Sequence, residues 1–308
     1  MKTTKSSLPA TLLAMALTLF CACEKMNFDN APQDKVNNDN ANLILRVVDD
    51  ATVPETRAEE AKHWSRLNFA VYQNGKKVKG VNQTEDDTDY GQAAMTLEEG
   101  TYQVLVLAHS GSANPTMTTP EKIQFTNAIG FTDTFYHYGN ITVTSEPQTH
   151  NITLNRVTAM LRFIINDEMP DNVRSMKFYY TGGSGALNAY NGRGCVDSKQ
   201  TVNIYVDPTT TEKPYTFDLY TIPHETTAKL NLTVTAYDET QTTIIERTFK
   251  GVEVQTNKIT EFSGDFFTGS ASPDDGNGTD DEEPTANSHD TFLISANTAW
   301  EGTITKTY

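Results

Sequence analysis

The chain has 308 residues, 37% of them hydrophobic, and a net charge of −16. That length allows about two domains of ordinary size. The charge, with no clustered Lys/Arg patch, excludes a nucleic-acid partner, because neutralising phosphates requires such a patch.

The N-terminus comes first. Lys2 and Lys5 precede an apolar run, Leu8–Phe20, of signal-peptide length and too short to span a bilayer comfortably. Small Ala22 stands before Cys23, as in a bacterial lipoprotein signal, so residues 1–22 are expected to be removed and Cys23 lipidated. An ordinary secretory signal with incidental cysteines is the other reading. One acyl chain holds a membrane marginally, and several on one cysteine hold it firmly. With Cys23 acylated and Cys21 removed, Cys195 is the only thiol left, and it reads as a buried structural residue.

Residues 23–41 are Asn/Asp-rich and read as a tether. From Asn42 onward short runs of Val, Ile, Tyr, Phe and Thr recur at strand length, separated by turn residues. "NLILRVVDD" is the first strand, and "RLNFAVYQNGKKV" is a hairpin turning at Asn74-Gly75. "GTYQVLVLAHSG" is apolar on both faces, as a strand covered from two sides must be. A second set begins near Asn155. "TAMLRFIIND" puts Ala159, Leu161, Phe163 and Ile165 on one side, and "KLNLTVTAYD" alternates Leu230, Leu232, Val234 and Ala236. No helical period competes with these. The expected fold is all-β, with two sandwiches at residues 42–154 and 155–268.

An acidic linker follows at 269–290, with seven acidic residues and no Lys or Arg. Residues 291–308 then alternate again. Phe292, Ile294, Ala296, Trp300, Ile304 and Tyr308 share one face of the expected strand. Burying the large members of that face stabilises by about 1.5–3 kcal/mol each. Ordering the backbone costs about 1–2 kcal/mol per residue. Side chains alone do not hold such a strand, and a main-chain ladder on one edge or both must contribute. That ladder comes either from another molecule or from the protein's own sheet, with a hairpin around Asn297 or Gly302 as a further option.

Chemistry-bearing motifs are absent from the text of the sequence. The six histidines show no zinc spacing. "GGSGA" has Ala186 where a nucleophile elbow needs its last Gly. "DDTDYG" lacks the closing Glu of a calcium loop. The expectation is a non-enzyme with no metal site and no cofactor.

"WSRLNFAVYQNGKKVKGVNQ", "GTYQVLVLAHSGSANPTMT", "KIQFTNAIGFTDTFYHYGNITV", "LNRVTAMLRFIINDEMP" and "YTGGSGALNAYNGRGCVDSKQ" together resemble the fimbrillin-associated anchor family, the lipidated basal subunits of type V fimbriae. The resemblance runs from the lipobox to about Phe267. It implies two tandem transthyretin-like sandwiches and a lipoprotein fixing a fimbrium to the outer membrane. It also implies a pilin partner, engaged by strand donation from the C-terminal residues. Arg57, in the polar loop "VPETRAEE", resembles the sites where stalk subunits are trimmed. Cutting there would sever Cys23 and the first strand, giving a polymerising or tip subunit instead of an anchor. A surface lipoprotein that binds glycan or peptide is the alternative from another class. Its candidate recess is "DTFYHYG", with Phe135, Tyr136 and Tyr138.

Overall fold

The computed structural model describes residues 40–48, 64–126, 131–207, 209, 213–269, 293–295 and 306–307. Every named element among them is a strand. The first ten are β1 (Leu43–Val47), β2 (Arg66–Gln73), β3 (Lys76–Thr84), β4 (Gln92–Met95), β5 (Gly100–His109), β6 (Thr116–Thr119), β7 (Lys122–Gln124), β8 (Phe135–Val143), β9 (Gln148–Ile152) and β10 (Asn155–Arg156). One sheet is ordered β4-β1-β9 and the facing sheet β10-β8-β5-β2-β3. Leu43, Leu45, Phe69, Val71, Met95, Val104 and Val106 fill the space between them. The β2–β3 turn has Asn74 at φ 53° and Gly75 at φ 74°. Two left-handed residues in succession give the turn whose twist matches a two-residue hairpin.

The second half contains β11 (Ala159–Ile165), β12 (Ser175–Ser184), β13 (Ala186–Asn188), β14 (Arg193–Gly194), β15 (Asp197–Tyr205), β16 (Tyr215–Thr221), β17 (Thr227–Tyr237), β18 (Thr243–Gln255) and β19 (Ile259–Gly264). Two short strands, β20 (Leu293–Ser295) and β21 (Lys306–Thr307), close the chain. Here β16-β11-β19 faces β15-β12-β17-β18. The core is aromatic: Phe163 lies within 6.0 Å, ring centre to ring centre, of Phe178, Phe249, Phe262 and Phe266. The all-β tandem sandwich expected from the sequence is the observed fold.

Strand for strand, the second sandwich repeats the first. In each, the opening strand (β1 or β11) lies between two neighbours, antiparallel to one and parallel to the other, and in the second sandwich β20 and β21 extend that sheet beyond β19. In each, the facing sheet contains the order β8-β5-β2-β3 or its counterpart β18-β17-β12-β15. The two sandwiches differ in their insertions. β6 and β7 interrupt the first, β13 and β14 the second, and these four strands form a sheet of their own, β14-β13-β7-β6.

This inserted sheet belongs to both halves. Ile123 pairs with Leu187, and the Phe125 amide donates to the Gly185 carbonyl at 3.1 Å. It covers the outer face of β5, where Leu105 and Leu107 pack with Tyr72, Ile123 and Leu187. That contact explains why β5 is apolar on both sides, since each face meets its own core. The Gly-rich Gly182–Ser184 is the end of β12, which is bulged against β15 with its register shift between Tyr180 and Gly183. Gly182 sits there at φ 95°, and a Cβ would strike the Lys229 carbonyl. Only glycine fits.

A second joint lies where the chain passes between the sandwiches. Arg156 holds both carboxylate oxygens of Asp133 (Nε–Oδ1 2.9 Å, Nη2–Oδ2 2.9 Å) and donates to Asn257 Oδ1 at 3.1 Å. Its guanidinium lies 4.5 Å from the Phe135 ring centre. Both charged side chains are only 12% exposed. A largely buried pair of this kind is stabilised when further partners satisfy it, here the Thr158 hydroxyl on Asp133 and Asn257 on Arg156.

Candidate functional site

The site suggested by the sequence is a set of strand edges, and the structure gives two of them a definite form. The first is the position of β1. Leu43 and Leu45 are fully buried, and the five-residue strand is bonded on both sides, to β4 and to β9. Arg57 follows it at residue 57, outside the described residues. β1 is therefore a short central strand whose loss would expose two unpaired edges and two apolar pockets at once. Its central placement does not follow from alternation in the sequence, which gives a face but no neighbours.

The second is the outer edge of β19. β20 pairs with it antiparallel, matching Glu261 with Ser295, Phe262 with Ile294 and Ser263 with Leu293. β21 then pairs back onto β20. The described parts of the tail thus form two short strands on the protein's own sheet, in place of one continuous alternating strand. Asn297 and Gly302 lie between them, and both residue types favour turns. Of the proposed face, Ile294 falls within β20. Phe292, Ala296, Trp300, Ile304 and Tyr308 lie outside the described residues, as do Cys23 and Arg57.

The chain leaves the second sandwich through a built clamp that sequence reading missed. Asp167 accepts from the backbone amides of Phe266 (2.9 Å), Phe267 (2.6 Å) and Thr268 (2.6 Å). Arg247 donates to the carbonyls of Phe266, at 2.6 Å, and Gly269. Charge-assisted bonds from both sides fix the segment that precedes the acidic linker.

The aromatic alternative takes a different form from a recess. Phe135 packs on Trp64 at 5.1 Å between ring centres. Tyr136 closes over Gly192, where a Cβ would collide with its hydroxyl. Tyr138 meets Tyr190 edge-on at 5.4 Å, and burial first and Tyr190 second push its hydroxyl up to about 12. Tyr190 alone is half exposed, donating to Glu121 at 3.0 Å. β10 covers β8 only at Phe135 and Tyr136, so these two lie inside the sheet, whereas Tyr138 lies on the part of β8 that pairs with β5 alone.

Cys195, expected buried, is exposed. Its amide is bonded to Ala186 and Ser184, so the backbone is held while the thiol faces outward. His109 is a core residue. Its Nε2 lies 2.9 Å from Asn68 Oδ1 and its Nδ1 accepts from the Gly111 amide at 3.0 Å, the neutral tautomer's pattern. A hollow beside it, lined by Phe125, Phe131 and Thr134, has about 20 Å³, room for one water. Among the described residues no group of three or more His, Cys, Asp or Glu side chains could hold a metal. No described helix is long and apolar enough to cross a membrane.

Comparison with known proteins adds a family. The model described as "Family of unknown function (DUF6562)" matches residues 32–281. The chain belongs to this family. No curated protein matches it. Among solved structures, a DUF1812 protein from Bacteroides thetaiotaomicron is similar at 15% identity and TM-score 0.47, covering 73% of this chain and 92% of that one. A fimbrial assembly protein from Parabacteroides distasonis is similar at 14% identity and TM-score 0.43, covering 86% and 98%. The tip fimbrial protein Mfa3 from Porphyromonas gingivalis is similar at 11% identity and TM-score 0.37, covering 72% and 94%.

Proposed function

We propose that this DUF6562 chain is a non-catalytic surface subunit of a fimbrium, held to the outer membrane by acyl groups on Cys23 and to an adjacent pilin by its C-terminal strand. The observation that carries this reading is the contrast between the two edges just described. Among the described residues the β20 ladder spans three residue pairs against a six-residue β19. A hydrogen bond contributes about 0.5–1.5 kcal/mol net, while ordering each residue costs about 1–2 kcal/mol. So short a ladder is exchangeable. A slot like that of β1, bonded on both sides and lined by pockets for two leucines, is the kind of groove that holds a donated strand. This chain's own slot is filled by β1. With it filled, the subunit can donate a strand but not receive one, which is the behaviour of a chain end. The sequence resemblance to lipidated anchors supports the same role.

Three measurements test it. Removing residues 284–308 should leave a folded, membrane-bound body that no longer retains fimbriae; normal retention removes the donor role. Cys23→Ala should release protein and fimbriae together into the medium. Intact mass of the mature protein decides the state of Arg57. A lipid-bearing species starting at Cys23 supports the anchor, whereas a chain starting at Ala58 makes it a polymerising or tip subunit. Tyr190, half exposed beside Tyr138 and Glu121, keeps a glycan-binding reading open. Glycan binding that survives tail removal, with no pilin co-purifying, would favour it.

A further inference from the structure

The sheets also end in edges that neither the tail nor β1 explains, and these edges are protected unequally. β3 carries Lys76, Lys77 and Lys79 and is bulged against β2 between Val71 and Tyr72. β18 is bulged twice against β17, holds Gly251 at φ 68°, and bears Glu246, Arg247, Lys250 and Glu253. Lysines, charges and bulges are the devices that stop one edge from pairing with another. β15 lacks them where it matters. After Lys199 it runs uncharged from Gln200 to Val206. Its one register shift lies ahead of that run, so Gln200–Tyr205 matches β12 residue for residue.

The phase of the free edge can be read directly. The Val206 amide donates to the Arg174 carbonyl at 2.9 Å, so the even-numbered residues of β15 bond inward to β12. Thr201, Asn203 and Tyr205 therefore turn their N–H and C=O groups outward, and β15 pairs with β12 alone among the described strands. On the inner face Val202, Ile204 and Val206 pack only partly against the core. On the outer face the Tyr205 side chain is 86% exposed.

We propose that β15 pairs antiparallel with β15 of a second copy, across a two-fold axis at Asn203. The edge is self-complementary in that register. Asn203 meets its own equivalent, and Thr201 meets Tyr205 of the partner subunit, giving a ladder of about six N–H···O=C bonds. Val202 comes beside Ile204 of the partner subunit, completing the cover of two half-covered cores. Lys199 falls opposite Asp207 of the partner subunit, twice by symmetry, so the charges flanking the neutral run attract. β3 brought against itself would set a lysine-rich edge on a lysine-rich edge. The net charge of −16 opposes association at long range, and physiological salt screens it beyond about 8 Å. This pairing is independent of the tail and of the role proposed above.

Sedimentation velocity of the full chain carrying Cys23→Ser, which keeps acyl chains out of the measurement, should show a concentration-dependent dimer. Asn203→Pro removes an outward N–H without touching the ladder to β12, a position where an edge strand tolerates proline. It should raise the dimer dissociation constant about a hundredfold, with an unchanged circular dichroism spectrum. If that variant misfolds, Lys199→Asp carries the test. It should weaken the dimer about tenfold, and adding Asp207→Lys should restore it. Deleting residues 284–308 should leave the dimer intact. A chain that stays monomeric at every concentration, a dimer indifferent to both substitutions, or a dimer lost with the tail would each overturn the proposal. The last would assign the edge to the tail of another copy.

Discussion

The two sandwiches share one strand plan and differ in nearly everything at its margins. The first has an aliphatic core around Leu43, Leu45 and Met95, a lysine-bearing edge at β3 and a buried histidine. The second has a cluster of phenylalanines, a neutral edge at β15 and the chain's final strands on β19. Since the frame is common, it does not by itself assign function. What distinguishes the halves is which edges are closed, and by what.

The largest expected effect breaks the second core. Phe163 is fully buried and touches four other rings, so Phe163→Ala should cost about 3–5 kcal/mol in urea unfolding. No single residue of the first core is ringed in this way, and Leu45→Ala should fall toward the lower end of about 2–5 kcal/mol. Equal losses would mean that the ring cluster adds nothing beyond its area.

Next is the joint. Arg156→Ala would leave Asp133 buried with Thr158 as its remaining side-chain donor, at a cost of about 3 kcal/mol. Calorimetry should then show the two sandwiches separating, with a broadened or split transition replacing one cooperative melt. A single sharp transition in the variant would show that the inserted sheet alone couples them.

A third effect, spread over about two to three pH units and small at any one pH step, separates the halves by pH. Burial, with the Arg66 charge adding to it, pulls His109 down to about 4 from an ordinary 6.5. The unfolded chain then binds more protons between those values. His109 therefore contributes stability that is full above about pH 6.5 and is lost as pH falls toward 4, at up to about 1.4 kcal/mol per pH unit. Hydrogen exchange on β2 and β5 should accelerate through this range before exchange on β12 and β17 does. His109→Gln should remove that part of the slope, and an unchanged pH dependence would mean that His109 keeps its proton balance on unfolding.

The strands were legible in the sequence because period-2 alternation survives wherever one face is buried. Ala159, Leu161, Phe163 and Ile165 are buried as their spacing requires, and so are Leu230, Leu232, Val234 and Ala236. β5, apolar on both faces, correctly signalled two covers, though not that the second was a sheet shared with the other half. Partners were not legible. Alternation says nothing about β1 lying between β4 and β9, or β12 carrying a bulge at Gly182, because pairing is a long-range property. The Asp167 clamp joins residues about a hundred apart and left no local signal. The repeat of the strand plan was hidden as well, because the two cores fill the same frame with different side chains.

The smallest effect concerns the inserted strands, where the halves meet and where the sequence misled. Cys195 follows β14 and is exposed, although a lone cysteine in a β-rich chain is ordinarily a small core residue. Local backbone bonding accounts for this. Ser184 Oγ takes the amides of Ala186, Cys195 and Val196, which fixes the loop without enlisting the thiol. Residual burial pushes the thiol upward, with Lys122 opposing, so alkylation should be slower than for a free thiol at the same pH yet need no unfolding. Cys195→Ser should change stability by less than about 0.5 kcal/mol. A loss several times larger, or a thiol that reacts only in urea, would mean that the inserted sheet closes over this position in solution and that the halves are joined more tightly than their shared strands imply.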